Sequence, residues 1–372
     1  MIRVLVFGIT ENPGGVESFL IGYYRRIDRS KIQFDFLCNT YEKVAYEEEL
    51  KALGGRIFKI SPRSSNPLKF KKELDAVFKE HAGEWNAVWV NVCSLANIDY
   101  LKTAQKYGIR RRIIHSHNSE NMDSALRGRL HEMNKKKIDL YATDFWACSE
   151  EAAKWFYKEE LLGKAVIIKN AIDVERFRFD EAKREKIRKE LGADNRFVIG
   201  NIGRLHFQKN QMFALDVFKE YLNRNPDSMM VFVGEGEDRK KLEERCTELE
   251  FADKVRLVGI KSDIGAWLSA FDVFFFPSVF EGLSIALLEA QANGVPVLAS
   301  KNVIPKEVRL NENFVFADLK NDKAGEWAAL LETARIKLKR VEFETVYENF
   351  KEKGYEITGE AKKLEEMLLK NG

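Results

Sequence analysis

The stretch FFPSVFEGLSIALLEAQANGVPVLAS, residues 275–300, decides the fold. The apolar run Phe274-Phe275-Phe276-Pro277 reads as the end of a buried strand, Gly282 as the turn after it, and Leu283–Asn293 as a helix by the spacing of its apolar residues. Glu281 and Glu289 stand eight positions apart, just over two helical turns, so a carboxylate at the helix mouth and one further along can address the same ligand. The mouth offers backbone N–H groups without helical partners and the positive end of the helix dipole, which suit a phosphate. Carboxylates that accept hydroxyl hydrogen bonds beside a diphosphate cradle suit a sugar nucleotide.

The same alternation continues in both directions. Upstream, strands are expected at Ile2–Phe7, Phe34–Cys38, Arg56–Ile60, Ala87–Val92, Arg112–His117, Phe145–Ala147 and Val166–Ile168, separated by helical segments such as Val16–Ile27 and Pro67–His81. A second series is expected at Phe197–Asn201, Met229–Val233, Lys254–Val258, Val273–Phe276 and Val295–Ala299, and the charged stretch Asp180–Asp194 between the series reads as a separator. Repeated strand–helix units imply parallel sheets covered on both faces, so the class is α/β with two Rossmann-like domains. The expected boundaries are 1–172, 173–349 and a C-terminal helical segment 350–372, whose pattern runs from Phe350 to Leu369.

At 372 residues, with 45% hydrophobic and 32% charged residues, the chain has the composition of a globular protein of two or three domains and not of a disordered one. No apolar run approaches the ~20 residues of a membrane span, and MIRVLVFGIT reads as a first strand instead of a signal peptide. Cys38, Cys93, Cys148 and Cys246 are scattered without a CxxC pair, which fits a reducing cytoplasm and argues against disulfides or zinc. His115 and His117 are read as pointing to opposite faces of their strand, and the five histidines show no metal spacing. The first 172 residues carry 28 Lys and Arg against 22 Asp and Glu, and the remainder 33 against 36. A mildly basic first half is consistent with an anionic acceptor or membrane surface; a basic cluster lies at Arg127, Arg129, Lys135, Lys136 and Lys137.

Two glycine turns carry candidate chemistry. Gly14-Gly15 follow the first strand in GITENPGGVE and let backbone approach a ligand; the spacing is not G-x-G-x-x-G, so a nicotinamide site is not favoured. Gly203 begins GRLHFQKN, where Arg204 offers a planar fork and Lys209 a point charge to a diphosphate. His117 lies at a parallel strand end, where open α/β sheets bind ligands. Ser149 reads as a helix N-cap.

The pattern FPS-x-x-EG…LEA-x-A-x-G-x-PV, with Glu281 and Glu289 as its Glu-x7-Glu pair, resembles the signature of the family-4 retaining glycosyltransferases, which have the GT-B fold. Gly14-Gly15, the G-R-L-x-x-x-K turn, Asn170-Ala171-Ile172-Asp173 with Phe177, and Leu257-Val258-Gly259 resemble further family segments over nearly the whole chain; Ala171 departs from the family's glycine. The resemblance implies two sheets facing across a cleft, with 1–172 the acceptor-side domain and 173–349 the nucleotide-sugar donor domain, a final helix that crosses back to the first domain, and retaining transfer from a nucleoside diphosphate sugar to a hydroxyl. It implies that Arg204, Lys209 and the Leu283 and Ser284 N–H groups beside Gly282 hold the diphosphate. It implies that Glu281 holds the transferred sugar, Glu289 the ribose, Val258 and Gly259 the base, and Gly14 and Gly15 the phosphate and sugar, with His117 facing the sugar. No Asp-x-Asp motif occurs, so no metal or other cofactor is expected. The phrasing His-Ser-His-Asn and Glu-Ala-Gln-Ala-Asn-Gly is similar to bacterial capsular and exopolysaccharide transferases, implying a UDP-linked hexose or N-acetylhexosamine, a glycan or lipid-linked acceptor, and a cytoplasmic protein touching the inner membrane face, with no nucleic-acid partner. A GT-B sugar-nucleotide epimerase and a non-catalytic nucleotide-sugar-binding scaffold are the alternative readings.

Overall fold

The computed structural model describes every residue except 119–124, 252, 282–283, 302, 305–307, 322 and 371–372. The chain divides into two units, Met1–Ile172 with Gly354–Gly372, and Asp173–Lys353.

The first unit is built on seven parallel strands: β1 Ile2–Phe7, β2 Ile32–Cys38, β3 Ile57–Lys59, β4 Ala87–Val92, β5 Arg111–Ser116, β6 Asp144–Ala147 and β7 Ala165–Ile167. Their order is β3-β2-β1-β4-β5-β6-β7, so the direction of winding reverses between β1 and β4. A parallel sheet covered on both faces needs apolar side chains on both, and Val4, Leu5 and Val6 of β1 are all inaccessible to solvent. The charged exception on β2, Asp35, accepts hydrogen bonds from Arg3 (2.6 Å), Arg56 (2.6 Å) and Trp85 (2.9 Å), which satisfies a carboxylate that would otherwise be costly to bury. Helix Pro67–His81 starts where Asn66 accepts from the Lys69 amide, with Pro67 in the first turn, and buries Phe70, Leu74 and Phe78 at four-residue spacing.

The second unit carries β8 Phe197–Ile202, β9 Ser228–Val233, β10 Val255–Leu257, β11 Val273–Phe276, β12 Val297–Ser300 and β13 Phe314–Ala317, in the order β10-β9-β8-β11-β12-β13 and all parallel. Winding reverses between β8 and β11. In such sheets ligands gather outside the carboxyl ends of the strands at the reversal, which selects the loops after β8 and β11 here and after β1 and β4 in the first unit.

Four expectations change. Asp180–Asp194 is not a separator: Glu181–Leu191 is a helix capped by Asp180 and Gly192, burying Ile187, Arg188 and Leu191 inside the second unit. Its charges misled because one buried face is enough to anchor a helix. The sheet gains an edge strand, β13, whose Val315 and Phe316 are only half-buried. The segment Phe350–Leu369 is two helices, Phe343–Glu352 and Ile357–Lys370, interrupted at Gly354 with φ +68°. The first ends inside the second unit, so the chain rejoins the first unit at Gly354 and not at 350. There the helix Ile357–Lys370 contacts the helix Gly15–Arg26, and Arg111 donates to the carbonyls of Met367 (2.9 Å) and Leu368 (2.8 Å). Finally, the His115 and His117 rings lie on the same side, their centroids 4.1 Å apart, because residues two apart on a strand share a face.

Candidate functional site

In the second unit the loop after β8 and the loop after β11 are fastened to one another. The Val279 amide donates to Gln208 O (2.8 Å), the Gln208 amide side chain to Phe280 O (3.0 Å), and Asn210 Nδ2 to Pro277 O (3.1 Å). Asn210, at φ 58°, ends the short 3-10 turn Phe207–Lys209 and opens the helix Gln211–Leu222. This fastening brings Lys209 Nζ to 2.6 Å from Glu281 Oε1, both side chains largely buried, with Lys209 also 4.9 Å over the Phe276 ring. Two residues 72 positions apart thus form a cation–carboxylate pair at the reversal point of the sheet.

Arg204 leaves the same turn but points to solvent, 67% exposed, and pairs with Glu237 (3.0 Å), which also takes His206 Nε2 (3.2 Å). Glu237 has no counterpart in the sequence reading. It arrives because the loop after β9 packs backbone to backbone on Gly203–Leu205: Leu205 donates to Glu235 O (3.0 Å), and a Cβ on Gly234 (φ +141°) or Gly236 would collide with the carbonyl of Gly203 or Leu205. Asn201, also unread, is buried on β8 and donates to Phe275 O (2.8 Å), tying β8 to β11.

Gly282 and Leu283 lie outside the described residues. Ser284 is the N-cap of the helix Ile285–Ala292, and its hydroxyl accepts no hydrogen bond from the helix, so the first turn carries no side-chain cap. Glu289 stays partly accessible; desolvation by the surrounding protein pushes its carboxyl up to about 8, and the Arg176 charge only partly opposes this. After β10, the Val258 amide donates to Phe232 O (3.0 Å), and Gly259, at φ +74°, bridges to Gly234. Arg204, Lys209, Ser284, Glu289 and Gly259 therefore all follow or flank the carboxyl ends of strands in one sheet.

In the first unit, Gly14 and Gly15 open the helix Gly15–Arg26. Glu17 organises their loop: it accepts from the Thr10 amide (3.1 Å), the Thr10 hydroxyl (2.6 Å) and the Gly14 amide (3.1 Å), and burial raises its carboxyl pKa despite these bonds. A Cβ on Gly14 would come 2.8 Å from Glu17 Oε2, whereas one on Gly15 would meet nothing within 4 Å.

His117 stands just past β5. Its Nε2 lies 2.9 Å from Asn91 Oδ1 at the end of β4, and its ring packs 5.0 Å from Phe19. Asn91 Nδ2 faces Trp89 O, which assigns Oδ1 as acceptor and puts the imidazole proton on Nε2, leaving Nδ1 with a lone pair. Burial pushes the imidazole down to about 3, so it is neutral at ordinary pH. His115 behind it is inaccessible, with neither ring nitrogen hydrogen-bonded among the described residues.

Three smaller expectations meet their local geometry. Ser149 accepts from the Ala152 amide (3.1 Å). Ala171, buried, has no positive φ, so its turn does not need the glycine it replaces. In the basic cluster, Lys135 is engaged with the carbonyls of Lys154 and Trp155 (3.1 and 2.7 Å), while Arg129 and Lys136 are exposed beside exposed Leu126, Met133 and Leu140. Among the described residues no helix is long and apolar enough to cross a membrane.

Comparison with known proteins points in one direction. Residues 183–340 match the family model "Glycosyl transferases group 1". EpsF of Bacillus subtilis (strain 168), assigned as a glycosyltransferase, is 32% identical over 302 residues, covering 79% of this chain and 78% of that one. The UDP-Gal:alpha-D-GlcNAc-diphosphoundecaprenol alpha-1,3-galactosyltransferase of Escherichia coli is 37% identical over 141 residues, 37% of this chain and 36% of its own. Among solved structures, HepE of Anabaena in complex with UDP and glucose superposes with a TM-score of 0.80 over 99% of both chains at 19% identity, a likeness of fold.

Proposed function

The chain belongs to the group 1 glycosyltransferases and has a GT-B fold, and on that premise we propose that it moves a hexose or N-acetylhexosamine from a UDP-linked donor to a hydroxyl of a glycan or lipid-linked acceptor, with retention at the anomeric carbon, in surface polysaccharide synthesis. The observation that carries this reading is the Lys209–Glu281 pair beside a helix N-terminus without a side-chain cap.

The chemistry follows from the charges. As the bond from the anomeric carbon to the diphosphate breaks, negative charge grows on the leaving oxygen, and groups already in place stabilise it without reorganising. Lys209, Arg204 and the first-turn N–H groups of the helix Ile285–Ala292 supply that positive potential. Glu281 is both partner to Lys209 and acceptor for the transferred sugar's hydroxyls. Glu289 accepts the ribose hydroxyls, Val258 and Gly259 present backbone to the base, and Gly14 and Gly15 admit the donor phosphate. Neutral His117, with its Nδ1 lone pair, accepts a hydroxyl of the transferred sugar. The new bond forms on the face the diphosphate leaves, and the acceptor's proton passes to a diphosphate oxygen. No metal takes part in this scheme, so activity should survive EDTA.

Thermal shift with UDP, GDP, ADP and their sugars, with Glu289→Ala as control, tests the donor assignment. Stabilisation by uridine nucleotides alone, absent in the variant, is expected. Stabilisation by GDP sugars only would overturn the choice of base, and turnover that never appears with any donor that binds would favour the scaffold. The exposed Leu126, Met133 and Leu140 beside Arg129 and Lys136 favour a peripheral position on anionic lipid at the cytoplasmic membrane face; co-sedimentation with phosphatidylglycerol vesicles, weakened by salt, is the expected result.

A further inference from the structure

Behind His117 lies an imidazole that the scheme above does not use. His115, on β5, is inaccessible to solvent, and neither of its ring nitrogens is hydrogen-bonded among the described residues. Rings enclose it: Trp89 stacked nearly parallel at 5.9 Å, Trp146 and Phe19 nearly perpendicular at 6.2 and 5.2 Å, and His117 at 4.1 Å. A phenyl ring would suit such a box better. Burial drives the imidazole well below its usual pKa, and the nearby His117 adds to this, so His115 is neutral and carries one N–H and one lone pair. Leaving both without partners costs free energy that an apolar ring would not. A buried polar group left unmatched beside a candidate site calls for an explanation in the chemistry of that site.

The neighbouring strand supplies one. Asn91 and His115 are direct partners in the register of β4 and β5, so their side chains leave the same face of the sheet from strands about 4.8 Å apart. Asn91 gives its Oδ1 to His117 Nε2 (2.9 Å), but its Nδ2 reaches only Trp89 O at 3.5 Å, the outer limit of a hydrogen bond. The backbone after β1 pins the residue from the other side: a Cβ on Gly8 would come 2.8 Å from Asn91 Cβ. One weakly used donor is thus the strand neighbour of one unused lone pair. Sugar binding supplies a reason for them to join. A hydroxyl that donates to His117 Nδ1 makes Nε2–H a stronger donor to Asn91 Oδ1, and the Asn91 Nδ2–H a stronger donor in turn, because hydrogen bonds in a chain polarise one another.

We propose that His115 is a positioning residue for the transferred sugar: when a sugar hydroxyl donates to His117, Asn91 turns its Nδ2–H onto the lone-pair nitrogen of His115, closing a hydrogen-bonded chain from sugar to core. The inference rests on the role given to His117 above and extends it to two residues that touch no ligand. No proton changes owner. The unmatched imidazole of the free protein becomes binding free energy for the sugar, and UDP, which has no sugar, gains none of it.

Calorimetry on the full chain tests this with UDP, UDP-glucose, UDP-galactose and UDP-N-acetylglucosamine, following whichever sugar nucleotide wild type binds most tightly. His115→Phe should weaken that sugar nucleotide about five- to tenfold, the scale of one neutral hydrogen bond, and leave UDP within about twofold. His115→Gln, which keeps an acceptor, should recover most of the loss. Imidazole 15N spectra of histidine-labelled protein add a readout that a packing role would not move: the His115 lone-pair nitrogen should shift upfield with the sugar nucleotide and not with UDP. Unchanged His81 and His131 signals show that the first unit is folded in each variant. Equal loss of UDP and sugar nucleotide in His115→Phe, or a His115 resonance indifferent to the sugar, would overturn the inference. His117→Asn separates it from its premise. Unchanged sugar-nucleotide affinity in that variant sinks the role of His117 and this inference with it, whereas loss there with full affinity in His115→Phe sinks this inference alone.

Discussion

The two units wind their sheets in the same way and place their loops alike, yet they treat charge oppositely. Beside the reversal point of the first unit, titratable groups are kept neutral: His117 leans on an asparagine, and neither ring nitrogen of His115 behind it is hydrogen-bonded among the described residues. At the reversal point of the second, the polar groups meet as ion pairs, Lys209 with Glu281 and Arg204 with Glu237. The strand order decides where a ligand can be met, and the residues on the loops decide what kind. A neutral acceptor of hydrogen bonds suits an uncharged sugar, and preset cations suit a diphosphate.

The sharpest way to break this contrast is to remove the cation. Lys209→Ala should lower transfer by roughly 10²–10³-fold, the scale for losing one group that stabilises developing charge, and His117→Asn should cost less. A radiometric transfer assay that ranks them the other way round would assign the dominant role to the first unit.

The glycine loops give the next largest effect, read on stability. Gly234→Ala must open the contact with Gly203 and adopt a φ of +141°, and should cost about 2–4 kcal/mol in denaturant unfolding. Gly15→Ala enters open space on a helix, and its stability should be unchanged or slightly higher. If Gly15→Ala nonetheless lowers turnover, the ligand and not the fold needs that glycine.

Acid and base should weaken the units at opposite ends of the pH scale. His117 titrates at about 3 when folded, against an ordinary value near 6.5. Folded protein then binds fewer protons, and stability falls as pH drops from about 6.5 towards 3. Glu289 titrates at about 8 when folded, against an ordinary value of 4.5. Here folded protein binds more protons; its contribution is whole below about 4.5 and is lost as pH rises through 8. Glu289→Gln should therefore melt about 3–6 °C above wild type at pH 9, the gap closing by pH 5, while UDP binding is lost. An equal gap at both pH values would mean the side chain acts through packing alone.

The sequence carried the sheets well because buried parallel strands are runs of Val, Ile and Phe that little else produces; β1, β4 and β11 stand where the pattern put them. It carried poorly whatever shows only part of itself to the core: edge strand β13, half-buried at Val315 and Phe316, and the helix Glu181–Leu191 with three buried residues among its charges. At the candidate site, Lys209 and Glu281 were legible as separate motifs, and the structure adds that they touch. Glu237, Asn201 and Asn91 were not legible. Glu237 and Asn201 are placed by backbone of another strand and Asn91 meets the His117 ring, and no local spacing announces such a neighbour.

One feature of the backbone path reaches beyond this chain. Ile172 and Tyr355, the last steps out of the first unit and back into it, are hydrogen-bonded neighbours (2.9 Å), and Ile357 returns the bond to Ile172 (3.0 Å). The intervening second unit is in effect cargo strung between two adjacent posts. Recombination that cut at these posts would exchange the whole second unit without re-threading the rest, giving a lineage a route to a new second unit while keeping the first.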